Sequence, residues 1–358
     1  MNKNNPPQLT HGGDWAGYQA EFGPGARLLD FSANVSPLGV PEGIRQAIAR
    51  ESARVDRYPD PLCRALGQAL AEKEGCEPAQ ILCGNGAADL IWRAVLAVRP
   101  RRALIPAPTF AEYEGALTAL GCQVDRYFLK REQGFRLGED FLLHITEDTD
   151  MVFLCEPNNP TGVTASRALR QKILEKCRRV GALFVEDDCF EDFLDDPAGH
   201  SWQGTWRQEP NLLILKAFTK LYAMAGVRLG YCLCGNRTLL EKMAAVGQPW
   251  NVSSLAQAAG VAALREEGYV SQVRALIRRE RPWLSGQLAA LGLEVVPAEA
   301  NYILFRSEKS LLEPMRRRGI VLRSCGNYPG LDGSWYRCAV RTHGENTALI
   351  EGLGEVLA

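Results

Sequence analysis

Between residues 81 and 234, short apolar runs alternate with amphipathic segments, and this alternation narrows the fold more than any other feature of the chain. Apolar runs at 81–83, 103–105, 123–127, 151–155, 182–186, 212–215 and 229–234 are expected as strands. Segments 61–74, 87–97, 111–120 and 167–179 carry the spacing of amphipathic helices. Near-continuous apolar strands separated by helices indicate a sheet covered on both faces, because a half-exposed sheet would alternate apolar with polar residues. The expected architecture is α/β, with a mostly parallel seven-stranded sheet sandwiched by helices. Further on, Ser254 and Gln257 are spaced as a capping box opening a helix that runs towards Arg281. A further helix near 283–291 and strands near 301–305 and 337–341 suggest a smaller α+β unit. The first 40 residues, rich in Gly and Pro, read as an extended arm. The expected division is an arm over 1–45, a large domain over 46–250 and a small C-terminal domain over 251–358.

Charge and cysteine content exclude several functions. Lys and Arg total 41 against 42 Asp and Glu, a net charge of −1. A chain that binds nucleic acid through bulk phosphate attraction carries a clear basic excess, so no nucleic-acid partner is expected. No apolar run approaches the roughly 20 residues of a membrane span, and residues 1–10 are polar, so the expected compartment is the cytoplasm, with no membrane contact. Eleven cysteines form no C-x-x-C pair and the four histidines lie far apart, so no metal site is expected and the thiols read as small buried apolar groups.

Four segments are odd as pure scaffold. Gly84-Asn85-Gly86-Ala87 follows a strand and opens a helix, where small residues let backbone N–H groups and the helix N-terminus meet an anion. It lacks the lysine of a phosphate-binding P-loop. The second, Glu156-Pro157-Asn158-Asn159-Pro160-Thr161-Gly162, ends another strand, at the side of an α/β sheet where ligands bind, although Asn-Pro and Thr-Gly also make plain turns. In Glu186-Asp187-Asp188, a carboxylate at the end of an apolar strand calls for a cationic or hydrogen-bonding partner. Solvent exposure is the simpler expectation for Asp188 than for Asp187. Lys220 lies in a mostly apolar stretch, with Lys216 and Arg228 as its nearest cations in sequence. Burial and neighbouring positive charge both lower a lysine's pKa, giving the free amine that attacks an aldehyde.

Taken in this order, the four segments resemble the fold-type I pyridoxal-phosphate enzymes, the aspartate aminotransferase superfamily, through nearly the whole chain. The resemblance implies pyridoxal 5'-phosphate as cofactor and a homodimer with sites at the interface. It implies that Gly86, Ala87, Thr219 and Arg228 hold the cofactor phosphate, that Phe110 stacks on the ring, and that Asn159 meets the ring's O3′ oxygen. By the same likeness Asp187 pairs with the ring nitrogen, Lys220 makes the covalent link, and Tyr58 reaches the neighbouring subunit's cofactor. One departure is Phe190, where many relatives have tyrosine.

Within the superfamily, two sister branches are similar, histidinol-phosphate aminotransferases and threonine-phosphate decarboxylases of cobalamin biosynthesis. His11-Gly12-Gly13, Asp30-Phe31-Ser32-Ala33-Asn34, Asn327-Tyr328-Pro329-Gly330 and Arg337-Cys338-Ala339-Val340-Arg341 resemble the decarboxylase pattern more closely. The implied substrate is a phosphorylated amino acid, L-threonine O-3-phosphate or its serine analogue. The implied product is 1-amino-2-propanol phosphate or ethanolamine phosphate. His11, Asn34, Arg323 and Arg337 are implied to bind the substrate.

Overall fold

The computed structural model describes residues 11–358. Seven strands form one sheet in the order Ile81–Gly84, Gly230–Leu233, Leu212–Ala217, Leu183–Asp187, Met151–Cys155, Arg102–Ala107 and Gln123–Phe128. All run parallel except Gly230–Leu233, which is antiparallel to both its neighbours. Met151–Cys155 and Leu183–Asp187 are buried at every position. Their side chains alternate between two layers. Met151, Phe153, Leu183 and Val185 pack with Tyr113, Leu90 and Leu240 on one face, while Val152, Leu154 and Phe184 join Ile173 and Cys177 on the other. The helix Arg167–Val180 that covers this second face starts where Ser166 accepts the Leu169 N–H and stops at Gly181, φ 79°.

A second sheet of four antiparallel strands runs Arg323–Ser324, Trp335–Ala339, Tyr302–Arg306 and Glu294–Val295. The helices Glu267–Ala290 and His343–Leu357 pack against each other beside it. A parallel pair, Leu29–Asp30 with Ile320–Val321, ties the N-terminal arm to this part of the molecule.

Three expectations change. The arm holds a helix, Trp15–Phe22, started by the Asp14 carboxylate accepting the Gly17 N–H. The cap before residue 254 is Ser253, whose extended backbone places its hydroxyl on the Ala256 N–H, while the Gln257 amide donates to the Asp60 and Val252 carbonyls instead. That helix ends at Ala263, and one continuous helix, Glu267–Ala290, then runs through Pro282 and includes the segment expected as a separate helix. Side-chain ties flank the proline: Arg281 donates to the Asp195 carboxylate at 2.6 Å, and the Trp283 ring lies 4.6 Å from that of His343.

All eleven cysteines are free, nine of them buried. Among the described residues no group of three or more His, Cys, Asp or Glu side chains is placed to hold a metal ion. Nor is any helix of the described residues long and apolar enough to cross a membrane.

Candidate active site

Because the parallel strands run the same way, Gly84, Ala107, Cys155, Asp187 and Ala217 all finish at one edge of the sheet. Gly230 opens the antiparallel strand at that same edge, in register with both Gly84 and Ala217. The four chemistry-bearing segments, scattered over 145 residues of sequence, therefore meet there. They border a cavity of about 410 Å³, whose other wall comes from the arm and from the four-stranded sheet. His11, Asn34, Ala87, Phe110, Asn159, Asp187, Thr219, Lys220, Arg228, Arg323 and Arg337 all line it.

One corner suits an anion. Gly86 begins the helix Ala87–Val98 at φ 81°, without a side-chain cap. A Cβ on Gly86 would lie 2.7 Å from Nη2 of Arg228, so the missing side chain lets that guanidinium lie against the helix start. Arg228 itself has φ 59°, a left-handed conformation that few non-glycine residues adopt. Thr219 stands on the next loop, in the short helix Phe218–Leu221 that also carries Lys220. Helix terminus, guanidinium and hydroxyl together are the groups that bind phosphate.

At the cavity floor, Asp187 is 4% exposed. Its Oδ2 accepts the Tyr113 hydroxyl at 2.7 Å and its Oδ1 the Cys189 N–H at 3.1 Å. Burial pushes its carboxyl above the usual range, and these donors work against that push. Lys220 moves the other way. Burial first, then the charge of Arg337 and, more weakly, that of Arg228, pull its pKa down to about 8. Lys216, its expected neighbour in charge, is instead neutralised by Glu191 at 2.9 Å. Asp188, expected at the surface, is buried. Just beyond the strand end it is held inside the fold, and Glu186 and Glu191 beside it add to the burial that drives its carboxyl well above the usual range.

The remaining wall is cationic. Arg337 donates to the Asn159 amide oxygen and, at 2.8 Å, to the Ser32 carbonyl, with its guanidinium over the Tyr302 ring. Arg323 pairs directly across the sheet with Arg337, donates to Asn327 Oδ1 at 2.9 Å and lies over the Tyr328 ring. Among the described residues, the buried Asn34 amide oxygen has no hydrogen-bond partner. His11, at the mouth, is 2.7 Å from the Glu112 carboxylate, and its ring centroid is 5.7 Å from that of Phe110. Phe190 lines the cavity and meets Tyr302 edge-on.

Tyr58 is the exception. It lies outside this cavity, 79% exposed, with its ring stacked on Trp250 at 4.5 Å. Tyr113, Glu112 and the Ser32 carbonyl were not singled out from the sequence. Tyr113 is 74 positions from the aspartate it holds, and no local spacing marks that pair.

Residues 26–353 match the family described as Aminotransferase class I and II. The chain is 37% identical over 335 residues to the threonine-phosphate decarboxylase of Salmonella typhimurium, covering 92% of each. Among solved structures, the histidinol-phosphate aminotransferase from Clostridium acetobutylicum superposes with a TM-score of 0.86 at 28% identity, over 92% of this chain and 99% of that one. The L-threonine-O-3-phosphate decarboxylase from Porphyromonas gingivalis gives 0.81 at 26% identity, over 91% and 98%.

Proposed function

The chain belongs to the class I and II aminotransferase family, and within it we propose that the protein is a pyridoxal 5'-phosphate-dependent decarboxylase of L-threonine O-3-phosphate. The product of that reaction is 1-amino-2-propanol phosphate. The observation that supports the substrate is the cross-strand pairing of Arg323 and Arg337, which line the same cavity as Lys220. A phosphate monoester has close to two negative charges, and planar guanidinium forks meet its oxygens in bidentate pairs.

The residues present fit the cofactor. The glycine-opened corner at Gly86, with Ala87, Thr219 and Arg228, matches a phosphate. Phe110 offers a ring face, Asn159 an amide, and buried Asp187 a carboxylate for a protonated ring nitrogen. When bound, pyridoxal phosphate supplies an electron sink for the pair left at Cα when the bond to the carboxylate breaks. The chain's own groups do the rest. Lys220, with its pKa near 8, holds enough free amine at neutral pH to attack an aldehyde. Lys220, in its protonated fraction, would also be a proton source in the cavity, and Cα needs one proton after CO₂ departs. Arg323, Arg337, His11 and Asn34 orient the two anionic groups, and that orientation decides which bond at Cα is broken.

Two chains sharing their sites complete this reading. Tyr58, exposed and stacked on exposed Trp250, borders the groove bearing Arg50, Arg54 and Arg57, a surface suited to a second copy. Light scattering should return twice the chain mass.

The test of the reaction is to incubate the purified protein with cofactor and L-threonine O-3-phosphate and follow CO₂ and keto acid together. CO₂ in stoichiometric yield supports the decarboxylase. Keto acid appearing without CO₂ would make it an aminotransferase of the histidinol-phosphate kind.

A further inference from the structure

Tyr113 has no exposed surface, and its ring stacks on Phe153 with centroids 4.8 Å apart and planes 13° from parallel. A phenol at that depth is costly unless its hydroxyl is paired. The partner it finds is the carboxylate on the cavity floor, Asp187 Oδ2, at 2.7 Å. The other carboxylate oxygen takes the Cys189 N–H, so the two oxygens are held by different donors and a turn about the Cβ–Cγ bond would lose both. Tyr113 also lies in the first turn of the helix Ala111–Ala119, one residue beyond Glu112 and edge-on to Phe110. The same turn of backbone thus sets the ring wall and the support for the floor.

We propose that Tyr113 is a positioning residue of the reaction, whose hydroxyl holds the Asp187 carboxylate fixed in orientation for a pyridine nitrogen. This rests on the pyridoxal phosphate reading above and deepens it. An Asp187 carboxyl that gained a proton could no longer hold one on the ring, and burial drives it in that direction. A donor aimed at one oxygen favours the charged form and opposes the drift. Neutral and charged states differ most where water is excluded, which is why one buried phenol matters here.

The experiment compares wild type, Tyr113→Phe, Asp187→Asn and the double variant, reading cofactor affinity of the apo protein by tryptophan fluorescence and the visible absorption band against pH. Phenylalanine keeps the ring that packs on Phe153, and the thermal midpoint of each apo form checks that it folds. Tyr113→Phe is expected to weaken cofactor binding about tenfold, the equivalent of one hydrogen bond to a charged group. It should lower kcat by a similar factor while leaving KM for threonine phosphate within about twofold, as expected for a group that acts away from the substrate. In the Asp187→Asn background the same change should add almost nothing. As a second variant, 3-fluorotyrosine at position 113 keeps a donor of nearly the same shape, and its binding should stay within about twofold of wild type. Unchanged affinity and spectrum in Tyr113→Phe overturn the proposal, as does an equal loss in both backgrounds or an equal loss with fluorotyrosine. A wild-type chain that takes up no cofactor overturns the cofactor reading itself, and this inference with it.

Discussion

Glu186 and Asp187 are consecutive residues on one strand, both buried, and the chain treats their charges in opposite ways. Glu186 turns into the packed layer, where Arg170 and the Trp202 N–H both donate to its Oε1. Arg170 has no exposed surface, also donates to the His200 carbonyl at 2.5 Å, and lies over the Trp202 ring. Cation and anion cancel inside the fold. Asp187, one step on, faces the cavity with neutral donors, and Arg337, which lines the same cavity, is likewise held by neutral oxygens. Among the described residues no carboxylate forms an ion pair with Arg337. A fold that buries charge for its own packing pairs it, whereas one that buries charge for a ligand leaves the balance open. The sheet carries both arrangements side by side because successive side chains of a strand face opposite layers.

The largest expected effect tests whether the cavity is the reactive region at all. Lys220→Ala should lower decarboxylation by on the order of 10⁴-fold or more, the scale for losing a covalent participant. It should also remove the borohydride-reducible link between protein and cofactor. A variant that still forms that link at full stoichiometry would move the chemistry elsewhere.

Next comes the contrast of the two arginines. Arg337→Ala should cost roughly 2–5 kcal/mol in kcat/KM for threonine phosphate, with little loss of unfolding free energy. Arg323→Ala should fall in the same range. Arg170→Ala should do the reverse, lowering stability by about 3–5 kcal/mol because Glu186 is left charged and alone, while the folded fraction keeps its kcat/KM. Denaturant titration and steady-state kinetics on the same preparations read both quantities. Loss of stability in Arg337→Ala as great as in Arg170→Ala would erase the distinction.

A smaller effect lies in pH. The pKa of Lys220 is depressed to about 8 from a lysine's usual 10.5, so its free-amine fraction grows as pH rises through 8. Cofactor uptake by the apo protein should rise with a midpoint near 8. Arg337→Met removes a repelling charge and should move that midpoint upward, by about one pH unit at most, since burial is the larger cause. An unchanged midpoint would mean the charge of Arg337 does not reach the lysine.

The smallest effect belongs to the scaffold. Ser253→Ala should cost about 1 kcal/mol of stability, the worth of one N-cap, with Ser254→Ala costing less. Equal losses would return the cap to residue 254.

The sheet was legible because its central strands are nearly continuous apolar runs, and that pattern has few other solutions. The lysine, the aspartate and the glycine turn were legible because each is costly as scaffold. What escaped reading depends on contacts between distant segments. Arg337 proved a stronger influence on Lys220 than Lys216 four positions away, since Glu191 neutralises the latter. Asp188 looked like a surface residue because a lone acidic side chain gives no sign of the burial around it. The helix Trp15–Phe22 was hidden by flanking glycines that bound it without preventing it.

The ladder between Leu29–Asp30 and Ile320–Val321 sets an order of events for a chain made from its N-terminus. All strands of the large sheet have left the ribosome once Leu233 has emerged, bringing Asp187, Lys220 and the anion corner within reach of one another. The arm, although made first, has to wait for strand partners nearly 300 positions away. The Ser32 and Asp30 carbonyls find their donors only when Arg337 and Arg341 appear. Contacts of such long separation form late. A chain cut short before residue 320 would therefore carry Lys220 without Arg323 and Arg337, and so without the cationic wall proposed above to meet the substrate's anionic groups.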